Sequence, residues 1–187
     1  MYSRELFRSG AYSINMSEDV VPLKEAENEV KVTTQRLALL HLAYSKTLVK
    51  QFGWEKGKQL ILDSIKQYGE YVADRTKKGY QGLPKYGFWE RREGKPPLCE
   101  LGKVMLEMGE PELGSLYCLI DPAKTMAADP TKKLIHTKNM ILGDDECAFE
   151  TVETSEKDKA SFRTSCDWAG VDPVICKGIE KIRKKPD

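Results

Sequence analysis

From Pro22 to about Lys78 apolar residues return every three or four positions, and the rhythm is interrupted at Phe52-Gly53. That spacing places them along one side of an α-helix, so the chain is expected to open with two long amphipathic helices folded against each other. In the first, Leu23, Ala26, Val30, Leu37, Leu40, Tyr44 and Leu48 form the expected inward stripe, with Lys, Glu and Gln opposite and Pro22 marking the start. In the second the stripe reads Leu60, Ile61, Ile65, Tyr68 and Val72. Gly57 and Gly69 fall inside this second helix. Glycine there is about 1 kcal/mol worse than alanine; it either lets the first helix come close or weakens an exposed face.

The rest of the chain is punctuated more often. Residues 1–21 show no sustained period and read as an irregular arm. Gly79 to Pro97 is rich in Gly, Pro and aromatic residues and reads as a long loop, whose rings either line a binding wall or plug the core. Leu98 to Met108 is a shorter helix, with Leu101, Val104, Met105 and Met108 on one side and Glu100, Lys103 and Glu107 on the other. Glu112 to Leu119 is either a short helix or extended, and Asp121, preceding Pro122, is placed to cap a helix running to Ala128. Leu134 to Leu142 has strand length, a polar turn follows at Gly143-Asp144-Asp145-Glu146, and Cys147, Phe149 and Thr151 then share one face at period two. This is the pattern of a β-hairpin. The polar run 154–161 reads as a surface turn or linker, and Asp172-Pro173 begins a last helix with a basic end that suits the helix dipole.

These elements predict an α+β fold: two long antiparallel helices and a shorter helix packed on a small antiparallel β-sheet that contains the C-terminal hairpin. A chain of 187 residues, 40% hydrophobic, suits one domain, divided into the arm 1–21, a core 22–153 and a C-terminal extension 154–187 with a helix. Thirty basic against 29 acidic residues give no general field for phosphate backbones or anionic lipid, so neither nucleic acid nor membrane is an expected partner. No apolar run approaches the ~20 residues a bilayer requires, and the N-terminus lacks a signal-peptide core, which predicts a cytoplasmic protein. The expected partner is a small-molecule substrate or ligand, with an oligomer left open.

Five cysteines, at 99, 118, 147, 166 and 176, include no Cys-x-x-Cys pair and read as free thiols. Cys99, Cys118 and Cys147 with His136 and Asp121 are the set varied enough for a metal or a nucleophile. A zinc site would draw on Cys99, Cys118, Cys147 and His136, but such sites usually contain a closely spaced cysteine pair. A thiol nucleophile needs a cation, a base or a helix N-terminus to lower its pKa; otherwise each cysteine is a small buried hydrophobe. His41 lies near the inward side of the first helix, as a pocket base or a buried polar residue, and His136 is either structural or functional.

Leu113-Gly-Ser-Leu-Tyr-Cys-Leu-Ile-Asp121, followed by Leu142-Gly-Asp-Asp-Glu-Cys-Ala-Phe149, resembles the L-2-amino-thiazoline-4-carboxylate hydrolase family. The similarity runs from about Arg36 to Glu153, and its second half is also similar to the end of 4-vinyl reductase type ligand-sensing domains. The resemblance implies hydrolysis of a small cyclic isothiourea acid by water attack at the carbon between nitrogen and sulfur. It implies Asp121 or Asp144 as base, Cys118 or Cys147 as nucleophile or metal ligand, and His41, Arg75, Tyr117 and Lys138 around the substrate, with Arg75 or Lys138 anchoring its carboxylate. The alternatives are a non-catalytic small-ligand or metal-binding protein of sensor-like fold, and a redox or structural thiol protein.

Overall fold

A computed structural model describes residues 21–79, 89–92, 95–164 and 167–184. The expectations for the arm before Val21, for the aromatic stretch 80–88 and for Cys166 lie outside these residues. The fold is α+β, with helices packed on one another and on a small antiparallel hairpin.

Helix α1, Leu23–Lys77, consists of two arms, 23–52 and 54–77, joined at Gly53, whose φ of 74° and ψ of 168° break the helix. Only glycine adopts this backbone readily. The second arm folds back at once: a Cβ on Gly57 would lie 2.7 Å from Val49 Cα. Gly57 thus lets the arms touch, as its position in the helix suggested. Gly69 is also buried, but its neighbour is another helix: a Cβ there would meet Ala123 Cβ at 2.6 Å and the Lys124 backbone nitrogen at 2.8 Å. Gly69→Ala is therefore expected to destabilise the protein by about 1–3 kcal/mol, because overpacking against backbone outweighs the gain in helix propensity. Thermal unfolding of the variant measures the loss.

The inward side of the first arm differs from the expected stripe. Thr34, Ala38, Leu42 and Ser45 are buried, whereas Leu23, Val30, Leu40 and Tyr44 are exposed. Apolar residues occupy a broad arc of this helix, and close approach of its neighbours selects the part carrying small side chains. The second arm buries Ile61, Leu62 and Ile65 and leaves Tyr68 outside.

Two strands, β1 (Trp89–Arg92) and β2 (Lys95–Cys99), pair antiparallel with Trp89 opposite Cys99, in a stretch expected to be irregular. Lys95-Pro-Pro carries no strand signal, which is why the pairing was not legible. Helix α2, Glu100–Glu107, buries Leu101, Val104 and Met105 as expected, but Met108 is exposed and Glu100 is buried. Glu100 is drawn inward by the first arm, where Gln35 Nε2 donates to it at 3.3 Å and Lys31 lies 3.4 Å away. Helices α3 (Pro111–Tyr117) and α4 (Ile120–Ala128) follow almost without interruption. Asp121 therefore sits within the first turn of α4 rather than at its cap.

Strand β3, Lys132–Lys138, pairs with β4, Ala148–Glu153, placing His136 opposite Phe149. This is the expected hairpin with different limits. Met140–Leu142 is a 3₁₀ turn rather than strand, because Asn139 Oδ1 accepts from Ile141 N at 2.9 Å and bends the chain. Cys147 precedes the second strand. Where a linker was expected, Glu156–Thr164 forms helix α5, started by Ser155 and Asp158 capping each other. Helix α6, Pro173–Arg183, closes the chain, capped by Asp172. Phe162, Trp168, Val171, Ile175 and Ile179 all enter the common core, so the C-terminal extension is built into the fold. Among the described residues no helix is long and apolar enough to cross a membrane.

Candidate functional site

The N-terminal turn of α4, the end of β3, the 3₁₀ turn after it and the start of α6 meet at one buried polar cluster. His136 lies at its centre with 1% of its side chain exposed, because the strand turns it away from solvent and Phe149 packs on its ring at 4.6 Å. Its Nδ1 donates to Asp172 Oδ2 at 2.8 Å, and its backbone N–H donates to the same oxygen at 3.0 Å. Its Nε2 faces Asp121 Oδ2 at 4.0 Å. That gap exceeds a hydrogen bond, and a shift of about 1 Å or one bridging water would close it.

Asp172 is fully buried and yet receives enough donors to be held there. Its second oxygen accepts from Val174 N at 3.2 Å and from Ile175 N at 3.3 Å, so one carboxylate caps α6 and orients the imidazole. Asp121, with 18% of its side chain exposed, is the end of this array that solvent reaches. Lys124, one turn along α4, donates to its other oxygen at 2.5 Å.

The three expected cysteines gather beside Asp121. Cys99 caps α2, accepting from Gly102 N at 3.4 Å, and burial pushes its thiol up to about 11, with the nearby Cys147 and Asp121 adding to the rise. Burial pushes the Cys118 thiol well above its ordinary value and raises that of Cys147, to which Asp121 and Asp144 add. All three are therefore held as thiols near neutral pH, in surroundings opposite to those that generate a nucleophilic thiolate. The Asn139 side chain opposes the shift at Cys118, but too loosely to satisfy itself: its Nδ2 is buried without a well-formed hydrogen bond. An unsatisfied buried donor of this kind is worth about 1–3 kcal/mol of instability.

The remaining expected residues are engaged elsewhere. His41 Nε2 donates to Leu113 O at 2.8 Å, and its ring meets Tyr117 edge-on at 5.3 Å. Tyr117 is buried, and its hydroxyl is pushed far above its usual range by that burial, with Tyr68 close by. Lys138 lies outside on the hairpin, paired with Glu146 at 2.9 Å and Asp145 at 3.4 Å, which raise its pKa. Asp144 closes the 3₁₀ turn by accepting from Asn139 N at 2.6 Å. Arg75 is exposed on the second arm of α1, the arm that packs against α4 at Gly69. Among the described residues no three His, Cys, Asp or Glu side chains are placed together to hold a metal.

Burial lowers the His41 pKa below its ordinary value of 6.5, against the opposing hydrogen bond to Leu113. The unfolded chain then binds the proton more readily than the folded one. His41 accordingly contributes stability that is complete above the unfolded value and is lost as pH falls from there toward the folded value. Melting temperatures measured from pH 8 to pH 5 are expected to fall less steeply for His41→Gln than for the native protein.

Asp172, Asn139 and Lys124 were not singled out by the sequence. Asp172 carried a helix-start signal, Asp-Pro, but nothing indicated that its carboxylate would reach a histidine 36 residues earlier. Comparison with models of known protein families, with curated proteins and with solved structures gives no match. The family resemblance therefore rests on its motif residues alone.

Proposed function

We propose that the protein is a hydrolase of the amino-thiazoline carboxylate type, with Asp121 as the base that activates water. The observation that carries this reading is the array Asp172–His136–Asp121, which runs from a fully buried carboxylate to a solvent-reachable one through an imidazole. In such an array Asp172 fixes the ring, and Asp121 takes a proton from water and exchanges it with His136 Nε2. The water oxygen bonds to the ring carbon between nitrogen and sulfur, the carbon–sulfur bond breaks, and the sulfur leaves as a thiol after receiving the proton. The product is a carbamoyl-cysteine. Lys124, rather than Arg75 or Lys138, takes the substrate carboxylate, since it already lies against Asp121. The raised pKa values of Cys118 and Cys147 favour roles for them as wall residues rather than nucleophiles.

Incubating the purified protein with the amino-thiazoline acid and assaying carbamoyl-cysteine tests the reading. Product above the uncatalysed background supports it. Saturable binding of the acid without product would favour the second reading, a non-catalytic small-ligand protein, for which the raised pKa values of the Cys118 and Cys147 thiols are the supporting observation. Absence of both binding and turnover would remove this substrate class.

A further inference from the structure

The first arm of α1 carries two interleaved seven-residue series, Leu23, Val30, Leu37 and Tyr44 in one and Ala26, Thr33, Leu40 and Thr47 in the other. Alternating steps of three and four make a single seam down the helix, the spacing by which two helices interlock. The core uses part of this seam, since Leu37 is partly buried against that core, and leaves most of the rest open. Leu23 is 74% exposed, Val30 41%, Leu40 53% and Tyr44 66%. Side chains of this size left open along one side of the helix mark a contact surface rather than scattered exposure. The 30-residue arm is about 45 Å long, which gives the seam four heptads.

Charge along the edge of the seam selects the partner and its direction. The arm begins with Glu25, Glu27 and Glu29 between Lys24 and Lys31, and ends with Lys46, which pairs with Glu110, and Lys50. A parallel copy would leave Glu29 and the partner's Lys50 at opposite ends of the pair, out of reach of each other. An antiparallel copy sets Leu37 against the partner's Leu40, Tyr44 against the partner's Thr33, and Glu29 against the partner's Lys50. Glu29 and Lys50 are exposed and make no ion pair with any described residue. We propose that a second copy of this chain docks on the exposed seam of the first α1 arm, forming a two-fold antiparallel helix pair registered by two Glu29–Lys50 contacts.

The full chain should sediment as a dimer at micromolar concentration. Leu40→Glu with Tyr44→Glu should give a monomer with unchanged helical circular dichroism. Glu29→Lys and Lys50→Glu should each weaken the dimer about tenfold by placing like charges together, and the two combined should restore it. A native protein that remains monomeric at tens of micromolar overturns the proposal, as does a dimer indifferent to the seam substitutions. Should the seam variant lose helicity, the charge exchange decides, since both positions are exposed: failure of the double reversal to restore what each single reversal loses rejects the antiparallel register.

Discussion

Asp172→Ala is expected to destabilise the protein by about 3–5 kcal/mol, because it leaves several buried donors without their shared acceptor. The substitution withdraws the acceptor from four donors at once: the His136 backbone, His136 Nδ1, and the Val174 and Ile175 nitrogens at the start of α6. Two of these losses are those of a missing helix cap, which alone amounts to about 0.5–2 kcal/mol. The rest arise because His136 is left in the interior with its Nδ1 unpaired. Asp172→Asn preserves an oxygen for the cap, so its loss should be clearly smaller. Urea unfolding of the two variants separates the contributions; equal losses would show that the cap contributes little and that the loss lies in the contact between the carboxylate and the imidazole.

Trp168→Ala should cost a similar amount, about 3–5 kcal/mol, for a fully buried large aromatic side chain. Trp168 has no exposed surface, meets Phe162 edge-on at 5.4 Å, and donates from Nε1 to Leu62 O at 3.1 Å. The substitution would leave a cavity between the second arm of α1 and the extension after β4. Nearby, Lys133 is buried with its Nζ on Asp158 and on the Val171 carbonyl, a second tie between the hairpin and the same extension. A variant that lost much less than 1 kcal/mol would indicate that the extension is dispensable for stability.

The legible parts of this fold were those whose signal is local. The break at Gly53, the two arms on either side of it, the hairpin and the start of α6 all follow from residues within a few positions of the feature. Packing partners were less legible. The first arm offered a broad apolar arc, and only its neighbours determine that Ala38 and Leu42 face inward while Leu40 and Tyr44 do not. Glu100 looked like a surface residue because period alone cannot register Gln35 and Lys31 on the opposing helix.

The same division holds at the site. Cys99, Cys118, Cys147, Asp121 and His136 were singled out as one set by residue type; the structure brings the three thiols near Asp121, which faces His136 at 4.0 Å. Their chemical emphasis changes with the surroundings: burial raises the thiols, while Asp172 adds an acid that orients the imidazole. His41 and Tyr117 belong to a separate contact with α3, and Lys138 and Asp144 to the hairpin turn. Sequence identifies such residues by type, whereas their roles depend on which partner occupies each nitrogen or oxygen.

Turnover of the amino-thiazoline acid by Asp121→Asn, compared with the native protein at equal folded concentration, tests the acid–base array most directly. The substitution retains the shape of a partly exposed side chain and removes its ability to take a proton. Carbamoyl-cysteine formation should fall by about 10²–10⁴-fold, the usual contribution of a positioned general base, with the far-ultraviolet spectrum and melting temperature little changed. Turnover equal to that of the native protein would contradict a catalytic role for Asp121 and, with it, the array's assignment as the acid–base centre.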